Sequence, residues 1–209
     1  ETFELVSCHG FISECTFGLP VYKWQPEVEI HHQINHWWEK NKADGQGSLL
    51  FAYSLGKAQR VLAGLDSSIG PIYAHSAVHS FLDHYKNAGV VLPDVKKVDK
   101  EKDFTGAMVI APPAVEDSSW TRKFRQVKRG FASGWMAIRG PRRRKNLDRG
   151  FVLSDHADWT GLIDVITGTG AEKVKVTHGN GDALSRFLQE KGVNTSVLNE
   201  SSFRGEELD

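Results

Sequence analysis

The feature that most constrains this chain is an alternation of short apolar runs with stretches of helical period. Ser48 to Tyr53 reads as a buried strand, Gly56 to Leu65 as a helix, Ile72 to Ala74 as a strand, and Val78 to Asn87 as a helix ended by Gly89. Before them come a strand at Phe11-Ile12-Ser13 and a helix from Glu27 to Lys42. That helix is bounded by Pro26 and Gly45, with Ile30, Ile34, Trp37 and Trp38 on one stripe. Lys96 to Lys102 reads as a surface loop, and Met108 to Ala111 as a strand stopped by Pro112-Pro113. The C-terminal part repeats the rhythm: strand Phe151 to Leu153, helix Trp159 to Thr167, strand Lys173 to Thr177, helix Ala183 to Lys191, strand Thr195 to Leu198. Strands that alternate with helices imply parallel sheets covered on both faces, so the expected fold class is α/β.

The 209 residues, 40% of them hydrophobic, are enough to bury a core in one large domain or two smaller ones. Cys8 and Cys15 form neither a disulfide framework nor a thiolate zinc motif. No apolar run approaches the roughly 20 residues that span a bilayer, and Glu1-Thr2-Phe3-Glu4 lacks the basic start of a signal peptide. The chain therefore reads as a cytoplasmic protein with no membrane partner. Because it starts without methionine on strand-like sequence, it is expected to be a fragment of something longer.

Net charge is zero, yet eleven Lys and Arg residues lie between Arg122 and Arg149 against a single acid, Asp148. Charge runs are usually solvated faces, but Arg142-Arg143-Arg144-Lys145 is too dense for an ordinary salt-bridged surface. A segregated patch of this kind is the electrostatic footprint expected for a polyanion.

Two histidines stand where strands end, in Ser154-Asp155-His156-Ala157-Asp158 and in Val176-Thr177-His178-Gly179. The carboxyl ends of strands are where open α/β sheets place their reactive groups. Each ring is able to ligate a metal or to move a proton near neutral pH, and Asp155 and Asp158 are placed to orient His156 or to cap the following helix. Their two strands are expected to be adjacent, which brings the histidines near each other. A carboxylate, Glu14, follows the first strand, and Ser54-Leu55-Gly56-Lys57 leads from a strand into a helix whose start, with Lys57, is able to hold a phosphate. The spacing of a nucleotide P-loop is absent there.

Taken in order, Glu14-Cys15-Thr16-Phe17-Gly18, Ala52-Tyr53-Ser54-Leu55-Gly56-Lys57-Ala58-Gln59, Ser154-Asp155-His156-Ala157-Asp158 and Thr177-His178-Gly179 resemble the motifs of the metallo-β-lactamase-fold nucleases of the β-CASP group. Thr16-Phe17-Gly18-Leu19-Pro20-Val21-Tyr22-Lys23-Trp24 and Ala132-Ser133-Gly134-Trp135-Met136 look closest to the bacterial DNA ligase-associated exonucleases. The resemblance implies a Rossmann-like β-CASP parallel-sheet domain over residues 21–129. Residues 1–20 and 130–209 would then be parts of a metallo-β-lactamase αββα fold. It also implies zinc-dependent hydrolysis of phosphodiesters, with DNA favoured over RNA, and an association with a DNA ligase.

By the same resemblance, Glu14 partners His156, which serves the leaving oxygen, and His178 ligates one of two zinc ions. Ser54, Gly56, Lys57, Ser133, Arg142, Arg143 and Arg144 are the expected substrate contacts, with Trp135 as a candidate base platform. The chain departs from the family in lacking His-x-His-x-Asp-His before Glu14. His31-His32 and His36 do not replace that motif, and Asn180 stands where many relatives carry an acid. The fragment alone is therefore expected to be inactive and to bind zinc at most partially, with the missing N-terminal half supplied elsewhere. An RNA-processing nuclease of the same group and a non-catalytic nucleic-acid-binding module are the alternatives.

Overall fold

All five residues of Gly47–Phe51 are buried, as expected for a strand with packed neighbours on both faces of a sheet. The computed structural model describes residues 4–99, 103–138, 140 and 147–198. Its elements are β1 (Gly10–Cys15), α1 (Glu27–Ala43), β2 (Gly47–Phe51), α2 (Lys57–Ala63), β3 (Ile72–Ala74), α3 (Ser76–His79) and α4 (Leu82–Asn87). They continue with β4 (Lys96–Lys97), β5 (Met108–Ala111), β6 (Val127–Ala132), β7 (Arg149–Phe151), α5 (Trp159–Gly168), β8 (Lys173–Gly179), α6 (Gly181–Glu190) and β9 (Thr195–Val197).

The chain is α/β and its sheets are parallel, in a Rossmann-like arrangement of strands and helices. It divides into two units, one of residues 1–23 and 156–209, the other of residues 24–155. The second unit therefore extends to 155, past the boundary at 129 expected from the sequence, because β6 and β7 pair with each other and belong to its sheet.

That sheet has six strands in the order β4-β3-β5-β2-β6-β7. Alternation along β2 feeds two cores. Leu50 packs with Ile30, Ile34 and Trp38 of α1 and with Val61 and Leu62 of α2, while Leu49 and Phe51 pack with Phe104, Phe124, Phe131 and Met136. Trp38 is fully buried, and its indole N–H donates to the Gly106 carbonyl at 3.0 Å. The connection after β2 leads to β3 on one side and that after β6 leads to β7 on the other. This divergence is a topological switch point, where such sheets commonly bind ligands.

The first unit holds a three-stranded sheet in the order β1-β8-β9. Val174 and Val176 of β8 turn inward onto Leu162 and Ile166 of α5 and Leu184 and Leu188 of α6. Lys173 and Lys175, which alternate with them, are exposed. Ile12, opposite Lys175 in register, is 64% exposed. Asp158 caps α5, its carboxylate accepting from the Gly161 amide at 2.8 Å.

Four differences from the sequence expectation follow. Strand β6 had no expectation, and Lys96–Lys97, read as loop, pairs with β3 at the sheet edge. The helix expected over Val78 to Asn87 is split into α3 and α4. Finally, β7 and β8 are not neighbours, since β7 pairs with β6 and β8 pairs with β1 and β9.

Candidate active site

The carboxyl end of the β1–β8 pair carries the chemistry in the first unit. Glu14 lies opposite Thr177 and Cys15 opposite Gly179, so His178 is the extra residue of a β-bulge. Its φ is +54° and that of Gly179 is +75°, placing two successive residues in the left-handed region. Gly179 is required for space as well: a Cβ there would stand 2.4 Å from the Cys15 carbonyl oxygen. The Cys15 thiol donates to the His178 carbonyl at 2.7 Å. Burial, reinforced by the charges of Glu14 and Asp182, pushes that thiol up to about 11, which keeps it a proton donor at neutral pH. The exposed His178 ring is thus presented by a backbone kink that Cys15 pins from the neighbouring strand.

His156 reaches the same end of the sheet from the segment before α5. Its Nδ1 is 3.0 Å from Glu14 Oε1, and the Glu14 Oε2 accepts from the Thr16 amide at 2.7 Å. Burial pushes the Glu14 carboxyl up, but hydrogen bonds from the Thr16 hydroxyl and amide and from His156 outweigh it and hold the group below its ordinary value. An ionised carboxylate only accepts, so Nδ1 donates and Nε2 is the ring nitrogen left for proton exchange in the neutral tautomer. The Phe17 ring meets the imidazole edge-on, with centroids 5.8 Å apart, and packs on Tyr22 at 4.8 Å. With the imidazole side chain 47% exposed and the carboxylate 34% exposed, the pair is open to a ligand.

The structure places the expected substrate contacts less uniformly. Lys57 is 4% exposed, and its ammonium lies 3.1 Å from Asp155 Oδ2 and over the Tyr53 ring. The Asp155 Oδ1 accepts from Arg60 at 2.7 Å, and Arg60 also donates to the Ser154 carbonyl and to Glu27. Lys57 is therefore engaged by an acid. Gly56, at φ +82°, precedes a helix of only seven residues. Ser54 is half-buried and its carbonyl accepts from Gln59. Ser133 is buried, and its hydroxyl accepts from the Trp135 amide, so it caps a turn rather than facing solvent. Phe131 is core, whereas Trp135 is 39% exposed at the carboxyl end of β6. Arg142, Arg143 and Arg144 lie outside the described residues.

His31 is half-buried beside Glu27 at 3.6 Å, and His32 and His36 are exposed along α1. Among the described residues no group of three or more His, Cys, Asp or Glu side chains is arranged to hold a metal ion. Zinc needs three or four ligands, so the described residues do not by themselves build its cage. Two residues, one in each unit, were not singled out by the sequence reading. In the second unit, Arg60 follows Lys57 by three positions on one helix face, and both cations reach Asp155. Cys15 carries no signal beyond its place after Glu14.

Against this geometry, no family model matches the chain. A protein of Opitutus terrae (strain DSM 11246 / JCM 15787 / PB90-1) named "Probable DNA ligase" is 29% identical over 191 residues. The matched region covers 91% of this chain and 19% of that relative, so the chain spans about a fifth of the length of the protein it matches. No helix among the described residues is long and apolar enough to cross a membrane.

Proposed function

We propose that this chain is part of an enzyme that hydrolyses phosphodiester bonds in nucleic acid, with DNA favoured over RNA, and acts as an exonuclease in repair or end processing. The observation that carries the reading is the Glu14–His156 contact at the same sheet end as the bulged His178. The DNA preference and a functional link to a DNA ligase rest on the name of the relative. Hydrolysis forms a bond from water oxygen to phosphorus and breaks the ester bond to the departing sugar oxygen. That oxygen needs a proton, which His156 supplies from Nε2 while Glu14 stabilises the charged ring. His178 would contribute one imidazole to a zinc centre whose remaining ligands would come from outside the described residues. Bound there, zinc would supply an activated water and neutralise phosphate charge. Residues 1–23 and 156–209 then carry the chemistry, and residues 24–155 bind the strand.

The test is a cleavage assay on the full-length polypeptide that contains this chain, with end-labelled DNA and RNA, with and without chelator. His178→Ala should lower zinc content and cleavage together, whereas His156→Ala should lose cleavage, by about 100-fold or more for a missing general acid, with zinc retained. Equal zinc loss in both variants would contradict the division of roles. Cleavage of RNA but not DNA would move the reading to an RNA-processing enzyme, and binding without cleavage would make it a non-catalytic module.

A further inference from the structure

At the amino ends of β2, β5 and β6, the second unit has an open cleft of about 680 Å³. This is the opposite end of the sheet from the loops that carry Ser54 and Ser133. Among the described residues, Arg122, Lys123 and Arg125 line it, against the acid Asp103. Asp103 turns back onto its own loop, where its carboxylate accepts from the Thr105 amide at 2.9 Å and from the Thr105 hydroxyl. Lys123 lies over the rings of Trp120 and Phe124, at 4.9 and 5.6 Å. Arg122 and Arg125 are exposed and make no ion pair among the described residues. Two other described cations of the same basic segment have local partners. Lys128 pairs with Asp148 at 3.5 Å, and Arg149 sits over the Phe151 ring.

We propose that this cleft is a second, sequence-independent contact for a single nucleic acid strand, in which Arg122 and Arg125 grip consecutive backbone phosphates. The chemistry of the lining selects that ligand. Two guanidiniums present planar donor forks that match phosphate oxygens bidentately. The buried edges of Phe104 and Phe124 form the apolar floor, a low-dielectric wall that strengthens ionic contacts at the mouth. Among the described lining residues Gln126 is the neutral amide side chain, so the cleft reads charge and not base sequence. The inference rests on the proposed nucleic-acid function and adds to it a grip remote from the carboxyl ends of the strands.

The test is fluorescence anisotropy of a labelled oligothymidylate against the full chain over a salt titration. The double variant Arg122→Ala/Arg125→Ala should bind about tenfold more weakly at low salt, and its log–log salt slope should fall by about 1.4, the release expected for two single-strand phosphates. The double lysine variant, which keeps both charges, should retain the slope. Removing Arg186 and Lys191, exposed cations of the first unit, should leave both quantities unchanged. Polyphosphate should displace the oligonucleotide and polyglutamate should not. Unchanged affinity and slope in the alanine variant, with the unaltered chain binding normally, would overturn the cleft alone. Failure of the unaltered chain to bind at any salt would overturn the nucleic-acid reading with it. Displacement by polyglutamate would assign the cleft to acidic peptide instead.

Discussion

Strands β2 and β8 are both parallel strands with a neighbour on each side, but they bury themselves differently. Every residue of β2 is enclosed, with Leu50 on one face and Leu49 and Phe51 on the other. Along β8, Val174 and Val176 are buried while Lys173 and Lys175 are exposed. The row Ile12, Lys175 and Ser196 runs across all three strands of that sheet in register and is exposed at each position. Parallel sheets are ordinarily covered on both faces. The six-stranded sheet meets that rule, and the three-stranded sheet meets it on one face only among the described residues. The lesson concerns where stability comes from: the larger sheet draws on two cores, whereas the smaller one combines a single core with a strained, polar end that holds the candidate chemistry.

The largest effect should come from the two-core side. Trp38→Ala removes a fully buried indole and leaves the Gly106 carbonyl without its donor, and should cost about 3–5 kcal/mol in urea unfolding. A loss under about 1 kcal/mol would erase the contrast. Next, Gly179→Ala forces a Cβ onto the Cys15 carbonyl at a φ of +75°, and a loss of about 1–3 kcal/mol is expected by the same measurement. A neutral result would mean that the bulge relaxes freely.

Smaller still is a pH effect. Glu14 has its folded value below the unfolded 4.5, so its stabilisation is present in full above that pH and is lost as pH falls through the folded value. Glu14→Gln should therefore flatten the acid side of a stability profile followed by circular dichroism, and an unaltered acid slope would remove Glu14 from the account. Last, Ile12→Lys on the bare face should change stability by no more than about 0.5 kcal/mol. A loss beyond about 1.5 kcal/mol would show that this face is covered in the free chain.

Much of the α/β alternation was readable because strands such as Met108–Ala111 and helices such as α1 keep one pattern throughout. Strand β6 was not, because Val127-Lys128-Arg129-Gly130 interleaves two cations and a glycine and only becomes apolar at Phe131. Sheet membership was hidden as well: β7 and β8 look alike locally, and only long-range pairing assigns them to different sheets. The contact between Glu14 and His156 spans 142 positions, and the ordered motifs pointed to it where no local pattern did. Lys57 shows the reverse. Its place after a strand reads as a phosphate contact, and nothing nearby discloses Asp155, which occupies it.

Since His178 is the residue that the ladder cannot accommodate, its position is a matter of counting along the strand. Moving the same imidazole to 177 would seat it in a regular pair opposite Glu14, and moving it to 179 would drive a side chain into the Cys15 backbone. A one-residue deletion before it would restore an uninterrupted ladder and turn the ring to another face. Transplanting this site into another parallel sheet therefore means carrying over the miscount as well as the histidine.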